Sequence, residues 1–325
     1  MTAGRTMSLR WGVIGTGDIS ARLVPDLHSV APESVTAVWG RSGGRAMQFA
    51  SEQGIPFATS SREELLARED IDIVYVATPA ETHTDIALEA LDAGKHVLVE
   101  KPMATSAADV DRIFERAQLA GRFVMEAMWM KFNPLHQEVM RRIDDGLIGE
   151  VRSVRASFGT PFRARGNKLT PAQGGSILLD RGIYPVTLAH WALGGAQVQS
   201  SAQTLSEEVD IAGHATLGFG ADRFAHVAWS GVEFLDLSAA ISGEHGWVTL
   251  EPMFWAGTVA HIHAGSAERI FVDPERVEYP RAGNGYQPML TAVQSAIHDG
   301  LLEHPLHGRT STIEVAQTLD TIARS

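Results

Sequence analysis

Apolar residues fall along the first third of this chain in short, nearly unbroken runs separated by longer amphipathic stretches. Residues 10–14, "RWGVI", read as a buried strand, and 35–39, 71–77, 96–100 and 123–127 repeat that texture, with a briefer strand at 55–58. Strands covered on both faces give continuous apolar runs rather than alternation. The stretches between them read as helices. Those at 43–53 and 81–93 close at Gly54 and Gly94, the glycine stop expected of a helix C-terminus. Ser60 and Ser61 each precede a glutamate by three residues, Glu63 and Glu64, which is capping-box spacing. A further helix opens at 106–109 and stops at Gly121. This alternation predicts an α/β domain over residues 1–125, a doubly wound parallel sheet of the Rossmann kind.

The texture changes after Asn133-Pro134, an N-cap and first-turn proline opening a helix that runs to Asp145-Gly146. Segments 150–160, 197–220, 223–232, 234–242 and 247–251 read as strands. The alternation in 222–230, "DRFAHVAWS", suits a sheet with one wetter face. Helices are expected at 183–192, 287–299 and 313–324. Residues 126–325 are therefore read as a second, α+β domain built on a large open, mainly antiparallel sheet.

Composition narrows the partners. Lys+Arg 27 against Asp+Glu 39 leaves a net charge of -12, which argues against nucleic acid or an anionic membrane surface. The absence of cysteine removes disulfides, thiolate catalysis and cysteine-bound metals. No apolar run approaches the ~18 residues of a membrane span, and the first ten residues carry no export-type apolar region. A cytoplasmic protein is expected.

Chemistry first appears at "VIGTGDIS", where Gly15-x-Gly17-x-x-Ser20 follows a strand and opens a helix. The first glycine makes the tight turn, the second lets backbone approach a pyrophosphate, and the helix N-terminus receives its charge. Gly15, Thr16, Gly17, Asp18 and Ile19 are the expected dinucleotide contacts. NAD-binding domains place a carboxylate at the end of the second strand. Here that strand ends "VWGRSGGR", and Arg41, Ser42 and Arg45 follow. A guanidinium suits the 2′-phosphate, so NADP is favoured over NAD. Arg41 as a solvated loop cation is the bland alternative.

Ligands of such sheets bind beyond the carboxyl ends of the strands, which brings Thr78-Pro79 and Glu100-Lys101-Pro102 to the cofactor. Lys101 there could reach the nicotinamide ribose and the reacting hydroxyl, and its charge would stabilise a developing alkoxide.

Three segments, "AGKHVLVEKPMA" (93–104), "VATPAETH" (76–83) and "GGSILLDRGIYP" (174–185), resemble the glucose-fructose oxidoreductase / inositol dehydrogenase / MocA family. "MEAMWMKFNP" (125–134) and Asp180-x-x-x-Tyr184 are similar to its branch of dimeric dihydrodiol dehydrogenases and NADP-dependent xylose dehydrogenases. The resemblance implies a Rossmann domain followed by a substrate domain. It also implies Lys101 and Tyr184 as the catalytic pair, with Asp180 orienting the lysine or binding a hydroxyl, and His83 and Trp129 as further cofactor contacts. A free phenol titrates near pH 10, and an adjacent ammonium would lower that towards the range of a working acid or base. Tyr184 as a buried helix tyrosine with a satisfied hydroxyl is the alternative.

Two positions depart from the family. Arg181 stands where relatives usually carry a small or apolar residue, and its charge beside Tyr184 could recruit an acidic or strongly hydroxylated substrate or point outward; Lys131 stands where that branch often has arginine. Arg163, Arg165, Asn167 and Lys168 lie on a Gly/Pro-bounded loop that could line a substrate cleft or be solvated. The 13 histidines show no metal-ligand spacing, and "HIHAG" (261–265) reads as surface strand. Trp229, Trp247 and Trp255 read as sheet packing or an oligomer face. By analogy with relatives, a homodimer or homotetramer through the second sheet is expected. The expected activity is NADP-dependent hydride transfer on a sugar, polyol or dihydrodiol. A non-catalytic dinucleotide-binding regulator and a redox-assisted NAD-dependent glycosidase stay open beside it.

Overall fold

The computed structural model describes residues 9–161, 175–220 and 222–325. These divide into two compact units. The first comprises Met1–Ala104, Ala108–Trp129 and Ala282–Arg309, and the second Thr105–Ala107, Met130–Arg281 and Thr310–Ser325. The second domain does not run unbroken from 126 to the C-terminus, because 282–309 packs with the first unit.

The first unit holds a parallel six-stranded sheet: β1 (Trp11–Ile14), β2 (Val35–Trp39), β3 (Phe57–Thr59), β4 (Ile73–Val76), β5 (His96–Val99) and β6 (Val124–Glu126), in the order β3-β2-β1-β4-β5-β6. The order reverses between β1 and β4, where a doubly wound sheet opens its ligand crevice. Strands β1 and β4 are buried along their whole length, which explains their unbroken apolar runs. Helices α1 (Asp18–Val30), α2 (Gly43–Gln53), α3 (Arg62–Leu66), α4 (His83–Asp92) and α5 (Ala107–Ala120) alternate with the strands. Ser61 caps α3 by accepting from the N–H of Glu64, as its spacing predicts. The returning segment contributes α9 (Gln287–His298), which packs on α1. Asp26 of α1 accepts from the N–H groups of Asn284 (2.9 Å) and Tyr286 (2.9 Å). These contacts join positions some 260 residues apart, beyond the reach of any periodicity.

The second unit holds an eight-stranded mixed sheet in the order β14-β13-β12-β11-β7-β10-β9-β8. Its strands are β7 (Val151–Gly159), β8 (Gln197–Ser206), β9 (Val209–Gly218), β10 (Phe224–Ser230), β11 (Ala239–Gly243), β12 (Gly246–Leu250), β13 (Val259–Ala264) and β14 (Glu275–Glu278). Among the described residues, the β7–β10 pair alone is parallel in this sheet. The stretch read as continuous strand over 197–220 is a hairpin, turned by Glu207 and Glu208 at φ 48° and 70°. Residues 234–238 are not strand. Helix α7 (Ile183–Leu193) is buried almost all round and packs on β7 and β10. On the opposite face Trp247 stacks on His263 at 4.2 Å, and Phe224 and His226 stand exposed. Among the described residues the other α-helices are α6 (Pro134–Asp144), α8 (Ala267–Phe271) and α10 (Arg309–Ala323).

His136 of α6 lies fully buried, and burial holds its pKa down at about 4. Its neutral form belongs to the folded state, so the stability it contributes is complete above pH ~6.5 and is lost as pH falls towards 4. Between pH 7 and pH 5, His136→Leu should lose about 2 kcal/mol less stability than the unaltered protein. Urea titrations at the two pH values check this, and parallel losses would show that another group carries the dependence.

Candidate active site

In the first unit the site is built at the carboxyl edge of the sheet. Gly15 leaves β1 at φ +126°, and a Cβ there would lie 2.3 Å from the carbonyl oxygen of Ala77. Only glycine allows β1 and β4 to exit so close together. Gly17 caps α1 without a side-chain bond, and a Cβ on it would meet nothing within 4 Å. The first-turn N–H groups of α1 therefore face open space, the arrangement that receives a phosphate. Ser20 is fully buried, so its small size is what this position requires. Thr16 and Ile19 are half-buried and Asp18 exposed around the turn.

Past β2, Arg41, Ser42 and Arg45 are all exposed. Ser42 is the N-cap of α2 and makes no side-chain capping bond. Neither arginine meets a carboxylate among the described residues. Two unpaired guanidiniums and an uncapped helix thus sit where ribose-recognising residues stand in such sheets.

Past β4 and β5 the structure gives several residues roles that the sequence did not separate. Pro79 is exposed, and Thr78 Oγ1 accepts from the Thr82 hydroxyl at 2.7 Å. Glu100 is 6% exposed and lies under the turn: the Tyr75 hydroxyl donates to its Oε1 at 2.6 Å and the Lys101 N–H to its Oε2 at 3.1 Å. Burial pushes the Glu100 carboxyl up, against the pull of the Tyr75 bond and the Lys101 charge. His83 is 1% exposed, with one ring nitrogen 2.8 Å from the Thr78 carbonyl and the other 2.8 Å from that of Pro102. Read from sequence as cofactor contacts, Glu100 and His83 support the Lys101 turn from within. The half-buried Lys101 stands above them. Trp129 packs against Tyr286 at 5.1 Å.

In the second unit α7 is entered through a π-helical turn, Leu178–Gly182, that carries Asp180 and Arg181. Asp180 and Tyr184 are thus joined through a π turn rather than by one regular α-helical turn, and π turns recur at functional sites. Asp210 of β9 holds this entrance, accepting from the N–H of Leu178 at 2.6 Å and from Trp229 Nε1 at 3.1 Å. Burial pushes the Asp210 carboxyl up, opposed by these donors. Tyr184 is 5% exposed, 5.8 Å from Phe158 and 6.2 Å from Trp255. Those two rings stack at 3.5 Å and form an aromatic wall beside it. Trp255 is 8% exposed and packs on the sheet through Phe158 of β7, as read, within 6.2 Å of Tyr184. Phe158 carries no motif of its own; strand alternation alone places it on the same face of β7 as the buried Val154 and Ala156.

Arg181 is a correction. Its guanidinium is buried and donates to the carbonyls of Thr160 and Ser230, tying the π turn to the ends of β7 and β10. That engagement replaces the substrate contact expected of it. Lys131 is also buried, its ammonium 5.3 Å from the Trp191 ring. Trp229 is packing, as read. Arg163, Arg165, Asn167 and Lys168 lie outside the described residues. Among the described residues no cluster of three His, Cys, Asp or Glu side chains could hold a metal ion, and no helix is long and apolar enough to cross a membrane.

Residues 9–128 match the model of an oxidoreductase family with an NAD-binding Rossmann fold, and residues 136–249 match the GFO/IDH/MocA C-terminal domain. A trans-1,2-dihydrobenzene-1,2-diol dehydrogenase of Xenopus laevis is 30% identical over 97% of both chains. The chain belongs to the GFO/IDH/MocA oxidoreductase family. Its similarity to family members extends to a dTDP-3,4-didehydro-2,6-dideoxy-α-D-glucose 3-reductase of Actinomadura kijaniata, 31% identical over 97% of this chain and 94% of the relative. A 3-ketoreductase from that organism, solved with NADP and TDP-benzene, superposes with a TM-score of 0.87 at 29% identity, covering 97% of each chain. Like these relatives, this family member has a Rossmann sheet and a large, mostly antiparallel sheet.

Proposed function

We propose that this protein is an NADP-dependent oxidoreductase acting on a hydroxyl or carbonyl group of a sugar, polyol or dihydrodiol. The observation that carries the reading is the carboxyl edge of the first sheet, where an uncapped glycine turn, two unpaired arginines and a firmly seated Lys101 converge. These residues suit NADP: Gly15 to Ile19 would take the pyrophosphate, and Arg41, Ser42 and Arg45 the 2′-phosphate. The bound nicotinamide supplies or accepts the hydride. Tyr184 gives its phenolic proton to the carbonyl oxygen during reduction and takes it back during oxidation. Lys101, as an ammonium, favours the phenolate and so brings the tyrosine into working range. Asp180 accepts a hydrogen bond from a neighbouring hydroxyl.

The substrate class follows from the wall beside Tyr184. Phe158, half-buried with one face stacked on Trp255, supplies apolar contact beside Tyr184 that suits a sugar ring face or a cyclic diene. The diol and keto-sugar activities named for the relatives agree with it. The 3-ketoreductase has also been solved with a tyrosine replaced by phenylalanine and with a lysine replaced by alanine. The exposed sheet face around Phe224, His226 and Trp247 supports a homo-oligomer.

Purified protein should reduce NADP in preference to NAD with one class among aldoses, polyols and trans-dihydrodiols, followed by nicotinamide absorbance. Tight NADP binding without turnover on any of them would favour the non-catalytic regulator instead.

A further inference from the structure

Proline has no N–H, so the first backbone donor after Lys101 is that of Met103. Met103 donates it to Glu126 Oε1 at 2.8 Å, inside the first unit. The other oxygen of Glu126 lies 2.8 Å from His307 Nε2. All three residues are buried: Met103 is 0%, Glu126 3% and His307 1% exposed. Glu126 ends β6, the last strand of the sheet, and His307 belongs to the segment that returns from far along the chain. That segment runs beside β6, where the Val124 N–H donates to the Leu302 carbonyl at 2.9 Å.

A strand residue packed this deeply is ordinarily apolar, because a buried carboxylate is tolerated only when donors satisfy it. Here both oxygens are satisfied, one by the Lys101 turn and the other by the returning segment. We propose that Glu126, held by His307, is a positioning residue for Lys101. The pair fixes the first backbone amide after the lysine, and so helps set where its ammonium stands. The proposal rests on the reading of Lys101 as the catalytic lysine.

His307→Ala removes the donor to Glu126 and should lower kcat by roughly 10- to 100-fold, the scale of a misplacement near 1 Å. The Kd for NADP should stay within about twofold, because the phosphate-binding turns are untouched. In the same variant without ligand, hydrogen exchange at the Met103 amide should accelerate at least about tenfold. His307→Gln, whose side-chain amide still offers a donor, should restore most of both properties. Unchanged kcat per folded molecule and unchanged Met103 exchange, with only Tm lowered, would reduce the pair to packing and overturn the proposal. The unaltered protein supplies a test that needs no variant: its Met103 amide should exchange as slowly as that of Val124, and free exchange there would equally overturn it. Failure of the functional reading shows separately, as an unaltered protein inactive on every substrate. In that case Lys101 has no reaction to serve and the positioning role falls, whatever the exchange rates show.

Discussion

Phenylalanine in place of Tyr184 is expected to lower kcat by roughly 10²–10⁴-fold, the range for removing a general acid–base group. The ring itself is held by contacts that phenylalanine keeps, with Phe158 at 5.8 Å and Trp255 at 6.2 Å. Tm and the Kd for NADP should therefore change little. The KM should also move little if the hydroxyl acts in the transition state more than in substrate binding. Steady-state kinetics, a thermal melt and a fluorescence titration with NADP separate these quantities. The pH profile adds a second reading: the limb due to the phenol should vanish in the variant. Activity within about tenfold of the unaltered enzyme would remove Tyr184 from the chemistry, and the acid would have to be sought elsewhere.

Much of the first sheet was legible because its strands are covered on both faces. The burial of β4 throughout matches the unbroken apolar run of 73–77, and glycines at 54 and 94 close helices with φ of +68° and +72°. The same topology made candidate residues findable, since a parallel sheet collects its ligand groups at strand ends, where Gly15, Arg41, Thr78 and Lys101 stand. What failed was information carried by partners. Glu207 and Glu208 turn a hairpin in left-handed conformations that asparagine and glycine usually signal. Arg181 looked like a recruiting charge until the strand ends supplied carbonyls for it.

Asp210 and Glu126 show the same limit. Each is an acidic residue in a strand, ordinary in the sequence, whose role depends on donors distant along the chain: Leu178 lies 32 residues from Asp210, and His307 lies 181 residues from Glu126. Phe158 and Trp255 were individually visible, but only the folded second unit stacks them beside Tyr184.

Replacing Arg41 and Arg45 together by alanine is expected to lower the preference for NADP over NAD, as the ratio of kcat/KM values, by roughly 10²–10⁴-fold. Each charge-assisted bond to a 2′-phosphate is worth about 1.5–3 kcal/mol, and a tenfold change in the ratio corresponds to about 1.4 kcal/mol. Both side chains are exposed and meet no carboxylate among the described residues, so removing them breaks no internal pair. Stability should hold, and the kcat/KM for NAD should stay within a few-fold. Arg62 provides the control. Its guanidinium stands over the ring of Trp39, at the end of the same strand, yet is engaged by both oxygens of Glu89 at 2.7 and 2.9 Å. Arg62→Ala should leave the cofactor ratio unchanged, because a guanidinium occupied by a carboxylate is not available to a phosphate. The preference should also weaken with ionic strength in the unaltered enzyme and lose that dependence in the double variant. Equal losses with NADP and NAD would mean that the arginines hold the α2 entrance rather than the phosphate. A ratio near unity in the unaltered enzyme would mean that the missing carboxylate after β2 does not by itself select NADP.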